Sequence, residues 1–85
     1  MIWQVVVDSA ARKYLKRIPR EDAGRIIDAL QELVVNPYTG DIEKMGGEEH
    51  VWRKRIGSYR MLYELYPAKR IVYVADIRRR TSKTY

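Results

Sequence analysis

Residues 51–65 read VWRKRIGSYRMLYEL, two runs of β-branched, aromatic and basic side chains on either side of a Gly57-Ser58 dipeptide. A Gly-Ser pair between such runs signals a two-residue hairpin loop, so Ile56 is expected to pair with Tyr59, Arg55 with Arg60 and Arg53 with Leu62. Side chains alternate across a strand with period two. One face therefore receives Ile56, Tyr59, Met61, Tyr63 and Leu65, and the other receives Arg53, Arg55 and Arg60. The apolar face needs a covering layer. The arginine face sets two like charges directly opposite each other, which costs stability unless an anion or a carboxylate sits between them.

Downstream, a turn at Pro67-Ala68-Lys69 leads into a third strand, on which Ile71, Tyr73, Ala75 and Ile77 are expected to continue the apolar face. A three-residue turn sets Asp76 opposite Arg60, with Glu64 on the same face, so a solvated face with salt bridges is one account of the arginines. Leu62, Val72 and Val74 fall on the arginine side and need cover from a loop or a partner.

Upstream, residues 36–50 hold Pro37, Gly40, Gly46 and Gly47 with acidic residues between them, and read as a loop. Before it, Ala23, Ile26, Ile27, Leu30, Leu33 and Val34 form a helical stripe that starts near Arg20 and stops before Asn36-Pro37. Glu21 and Asp22 stand in its first turn, where the helix dipole favours negative charge. A shorter helix with Ala11, Tyr14, Leu15 and Ile18 on one face begins after Asp8 or Ser9 and ends at Pro19. Ile2 to Val7 is β-branched and opens with Trp3, as suits a buried strand. The order is βααβββ. The expected fold is α+β: two N-terminal helices packed on one face of a mainly antiparallel four-stranded sheet, with residues 1–85 forming a single domain.

The chain has 85 residues, no cysteine and a formal net charge of +6. Disulfides and thiolate metal sites are thereby excluded, and no apolar stretch approaches the roughly 20 residues of a membrane span. A cytoplasmic protein with no membrane association is expected. The basic excess is concentrated in the WRKR segment from Trp52 and in Arg78, Arg79 and Arg80, which points to a polyanionic partner, RNA or DNA. The terminal run reads either as a frayed basic tail or as part of a site that folds back on the arginine face.

Arginine forks bind phosphate oxygens bidentately and stay charged, which is what a dianionic phosphorane transition state requires. A tyrosine adds base stacking or proton transfer. Other chemistries find little support. One histidine, His50, excludes a two-histidine ribonuclease mechanism. Asp41, Glu43, Glu48 and Glu49 follow no metal-loop spacing, and no phosphate loop or nucleophile elbow is present, so neither metal nor cofactor is expected.

The element order, together with VWRKRIGSYRMLYEL and the terminal IRRRTSKTY, resembles the RelE side of the RelE/ParE toxin superfamily over nearly the whole chain. The resemblance implies the toxin of a type II toxin-antitoxin pair. Its expected activity is metal-independent, ribosome-dependent cleavage of messenger RNA in the ribosomal A site by 2′-hydroxyl attack on the neighbouring phosphate. Carried over by position, the catalytic set is Arg53, Arg55, Arg60, Arg79 by its spacing of six before the final tyrosine, and Tyr85. Lys54, Arg78, Arg80 and Lys83 are the expected further RNA contacts, although alternation turns Lys54 to the other face. Some relatives carry lysines where this chain has Arg53 and Arg55, which leaves the general base unassigned. The implied partners are a RelB-like antitoxin, messenger RNA and the ribosome. Competing expectations are a ParE-type inhibitor of DNA gyrase with the same fold and a non-catalytic RNA-binding module.

Overall fold

The computed structural model describes residues 2–46 and 50–80. Gly47, Glu48, Glu49, Lys83 and Tyr85, all named above, lie outside the described residues. Strand β1 (Gln4–Val7) leads into helix α1 (Ser9–Arg17), helix α2 (Arg20–Val35), and strands β2 (Ile42–Lys44), β3 (Val51–Ile56), β4 (Tyr59–Tyr66) and β5 (Ile71–Arg79). The sheet order is β1-β5-β4-β3-β2. Every neighbouring pair is antiparallel except β1 with β5, which run parallel across the two-helix crossover.

Local chemistry sets the helix ends. Asp8 caps α1 by accepting from the Ala10 amide and also accepts from the Tyr73 hydroxyl at 2.7 Å, which ties the helix start to β5. The Tyr73 hydrogen bond, then the Ala10 amide, hold the Asp8 carboxyl below the usual carboxylate range. Pro19 separates the helices, and the Asn36 amide closes α2 on the Glu32 carbonyl. Ile26, Ala29 and Leu33 form the buried line of α2, whereas Ile27, expected in the stripe, is 46% exposed. The helix turns its apolar stripe slightly toward the Ala29 side.

The helices pack on the sheet face that carries Tyr59, Met61, Tyr63 and Leu65, all buried with Ile26, Leu33, Val72, Val74 and Ile77. Burial of each large apolar side chain stabilises the fold by roughly 1.5–3 kcal/mol. The hairpin pairs as its sequence predicts, and Gly57 adopts φ +58° at the first loop position. Among the described residues no helix is long and apolar enough to cross a membrane.

Three expectations need correction. The supposed loop after α2 contains β2, which adds a fifth strand by pairing with β3. The β4–β5 turn has four residues, since Tyr66 pairs with Ile71, and Arg70 takes φ +53°. That extra residue turns Val72 and Val74 inward, both fully buried beneath the helices, and leaves Ile71 and Tyr73 on the opposite face. A bulge at Leu62/Tyr63, where Ala75 is the unmatched residue of β5, shifts the register again. Ile77 then faces inward as expected, but Asp76 sits opposite Leu62, and Arg78 faces Arg60.

Tyr63 is the central anchor. Its ring has no exposed surface and its hydroxyl donates to the Pro37 carbonyl at 2.9 Å, which pins the chain just after α2. Burial, followed by the nearby Tyr38, pushes its pKa up to about 12. The folded pKa lies above the unfolded value of 10.0, so this contribution is fully present below pH 10 and is lost as pH rises through the folded value. Over two units that is roughly 2–3 kcal/mol. Urea unfolding at pH 9 and at pH 11.5 should therefore show a smaller alkaline loss for Tyr63→Phe than for wild type. The same variant should be about 1 kcal/mol less stable near neutrality because the Pro37 carbonyl loses its donor.

Candidate nucleic-acid interface

The face of β3, β4 and β5 turned away from the helices carries a row of arginines. Arg55 pairs across the hairpin with Arg60, and Arg60 pairs on its other side with Arg78. Arg53 lies two residues before Arg55 on the same face of β3, opposite Leu62. Just past β5, the Arg80 amide donates to the Ser58 carbonyl at 2.7 Å, and its guanidinium reaches the Gly57 carbonyl at 3.5 Å. The end of β5 is thus held against the hairpin tip, and Arg80 stands beside the arginine row.

Arg53, Arg55, Arg60 and Arg80, with Asp41 and Glu43, line an open cleft of about 220 Å³. Short cross-strand spacing would make the row repulsive, and neighbouring carboxylates offset part of that repulsion. Glu43 pairs with Arg53, directly across the β2–β3 ladder. The Asp41 carboxylate sits 3.0 Å from Arg55 Nε, and Asp76 lies 2.6 Å from Arg78 Nε. These pairs are largely solvent-exposed and individually weak, so phosphate oxygens can compete for the same guanidinium forks.

Lys54 explains how the acidic segment is held. It points to the helix side, is 4% exposed, donates to the Thr39 carbonyl at 2.9 Å and lies 3.6 Å from Glu32. Gly40 takes φ +88°, a conformation that favours glycine, and a Cβ there would lie 2.7 Å from the Lys54 amine and displace it from this contact. The lysine thereby fixes the approach to β2 and cannot join the arginine face as an RNA contact. This corrects the expectation for Lys54.

Arg79 is also corrected. It pairs with Tyr59 on β4 and so faces the helix side, where its charge acts on the Tyr59 hydroxyl. That hydroxyl donates to Asp22 at 2.8 Å, the main cause of its raised pKa. The structure therefore brings Arg53, Arg55, Arg60, Arg78 and Arg80 to one surface and leaves Arg79 and Lys54 on the other. Tyr85 and Lys83 lie outside the described residues. Sequence reasoning missed Asp41 and Glu43 as members of the cleft. Their signal was the placement of Asp41 and Glu43 on either side of Ile42, two residues apart and so on one face of an extended segment.

A family model described as ParE toxin of type II toxin-antitoxin system, parDE, matches residues 5–83. The RelE1 toxin candidate of Methanocaldococcus jannaschii is 29% identical over 83 residues, which cover 94% of this chain and 92% of that one. Among solved structures, the archaeal RelE–RelB complex from Pyrococcus horikoshii superposes with a TM-score of 0.85 at 21% identity, covering 96% of this chain and 99% of that one. The toxin-antitoxin complex RelBE2 from Mycobacterium tuberculosis gives 0.80 at 19% identity, covering 94% and 100%. At these identities the structural likeness bears on the fold.

Proposed function

Since this chain belongs to the ParE toxin family of type II toxin-antitoxin systems, within the RelE/ParE superfamily, we propose that it is a ribosome-dependent endoribonuclease that cuts messenger RNA in the A site. The observation that carries this reading is the row Arg55, Arg60 and Arg78 with Arg53 and Arg80 beside it, on a sheet face that the helices leave open. In the proposed reaction the substrate 2′-hydroxyl attacks the adjacent phosphorus, the bond to the 5′ oxygen breaks, and the leaving oxygen takes up a proton from water. The products are a 2′,3′-cyclic phosphate and a free 5′-hydroxyl.

Arg60, central in the row, holds the scissile phosphate, with Arg55 and Arg80 on the charge that develops in the transition state. Arg53 and Arg78 hold flanking phosphates. Guanidinium groups remain protonated, so they supply charge and orientation while the proton of the attacking hydroxyl passes to Tyr85 or to a ribosomal group. Dependence on the ribosome fits a site that supplies charge and leaves alignment of the RNA to a larger assembly. Several of the similar structures are RelE–RelB complexes, and a RelB-like antitoxin is the proposed partner here, in the cytoplasm.

Primer extension on a defined message in a reconstituted translation system, with and without ribosomes, tests the reading. Cuts that require ribosomes support it, and an intact message overturns it. The matching family model is that of ParE, which favours gyrase inhibition as the second reading. An intact message together with inhibited supercoiling by purified gyrase would establish that alternative.

A further inference from the structure

We propose that Asp41 and Glu43 are internal phosphate mimics: they occupy two phosphate subsites of the arginine cleft, and an RNA strand binds by displacing both. This rests on the RNA reading above. The two carboxylates engage two different guanidinium groups in one cleft, Asp41 on Arg55 at 3.0 Å and Glu43 on Arg53. Arg53 and Arg55 are alternate residues on one strand face, which sets their Cα atoms roughly 6.5–7 Å apart, the reach of consecutive phosphates on an extended strand.

Glu43 lies on a short edge strand, β2, and Asp41 immediately precedes it. β2 has three residues, and outside its ladder with β3 it is held by the Arg55 amide on the Asp41 carbonyl and by the Lys54 clamp at Thr39. Backbone and buried lysine fix where the segment sits, whereas the carboxylate side chains are more than half exposed and can swing away without unfolding it. The cleft therefore offers a charged surface on which Arg53 and Arg55 each already engage a carboxylate. A single anion gains little by exchanging with one carboxylate, and a strand that presents two phosphates at the right spacing exchanges with both. The arrangement selects a nucleic-acid strand over free phosphate or acidic side chains.

The test is equilibrium binding of a short 2′-O-methyl RNA, which cannot be cleaved, measured over a range of salt concentrations. Wild type is compared with Asp41→Asn/Glu43→Gln and with Glu21→Gln/Asp28→Asn on α2, which removes the same charge away from the cleft. Two exposed ion pairs set the expected gain at about tenfold tighter binding for the cleft variant. Its salt dependence should also steepen by about one unit of log–log slope, because displaced carboxylates no longer take up cations when RNA binds. The α2 variant should change affinity by about twofold or less, with an unchanged slope. Equal affinities and slopes for wild type and cleft variant, or equal gains in both variants, overturn the proposal while leaving the RNA reading intact. Absence of salt-dependent binding by all three proteins overturns the proposal, and cleavage on ribosomes then decides the RNA reading separately. Circular dichroism on each variant confirms that the fold persists.

Discussion

Arg60→Ala is expected to slow RNA cleavage at least 100-fold while moving the thermal midpoint by only a few degrees. Arg60 lies between Arg55 and Arg78 in the cross-strand row and lines the cleft, so its guanidinium is placed to meet charge from either side of the scissile phosphate. Removal of a single donor to a developing oxyanion costs about 100- to 1,000-fold in comparable preorganised sites. The fold should tolerate the change, because the side chain lies on the face away from the helices and outside the apolar core. Arg60→Lys keeps the charge and loses the fork, and should recover only part of the rate, about tenfold below wild type. Single-turnover cleavage on programmed ribosomes measures both variants, and a wild-type rate in Arg60→Ala would remove this residue from the reaction.

The largest effect on stability is expected at Ile26. Its side chain is fully buried between α2 and the sheet, packed with Leu33, Met61 and Tyr63 in the cluster that joins the two layers. Truncation to alanine removes that apolar surface and leaves a cavity, at a cost of about 3 kcal/mol. For a domain of this size the midpoint should fall by about 15 °C. Ile27→Ala is the control, since that neighbour is 46% exposed and should shift the midpoint by no more than a few degrees. Thermal unfolding followed by circular dichroism measures the pair. Similar losses from both would mean that α2 docks on a different face.

The hairpin register was legible because a two-residue loop leaves the pairing little freedom: Gly57 at positive φ closes the turn, and alternation does the rest. The same alternation put Lys54 on the helix side. β5 was less legible for a physical reason. Its face depends on the length of the turn before it and on a bulge inside it, and neither leaves a local signature in residues 66–76. One extra turn residue reverses Val72 and Val74, and the unmatched Ala75 restores Ile77. The bulge also decides the site, because it assigns Arg78 to the arginine face and Arg79 to the helix side. Spacing before the final tyrosine could not reveal this, since it counts residues along the chain and not across the sheet. The strand β2 escaped notice because three residues give too short a period, and Glu43 and the preceding Asp41 take their meaning from Arg53 and Arg55, ten or more positions later in the chain.

Arg79 and Arg80 are adjacent in sequence and opposed in space, with Arg79 beside Tyr59 on the helix side and Arg80 in the cleft. Cleavage rates of Arg79→Ala and Arg80→Ala, compared side by side on the same ribosome-bound message, test most directly whether the arginine cleft is the reacting surface. The predicted result is a loss of about tenfold or more for Arg80→Ala and a rate within about twofold of wild type for Arg79→Ala. A large loss in Arg79→Ala with Arg80→Ala unaffected would contradict the account and place the chemistry on the other side of the sheet.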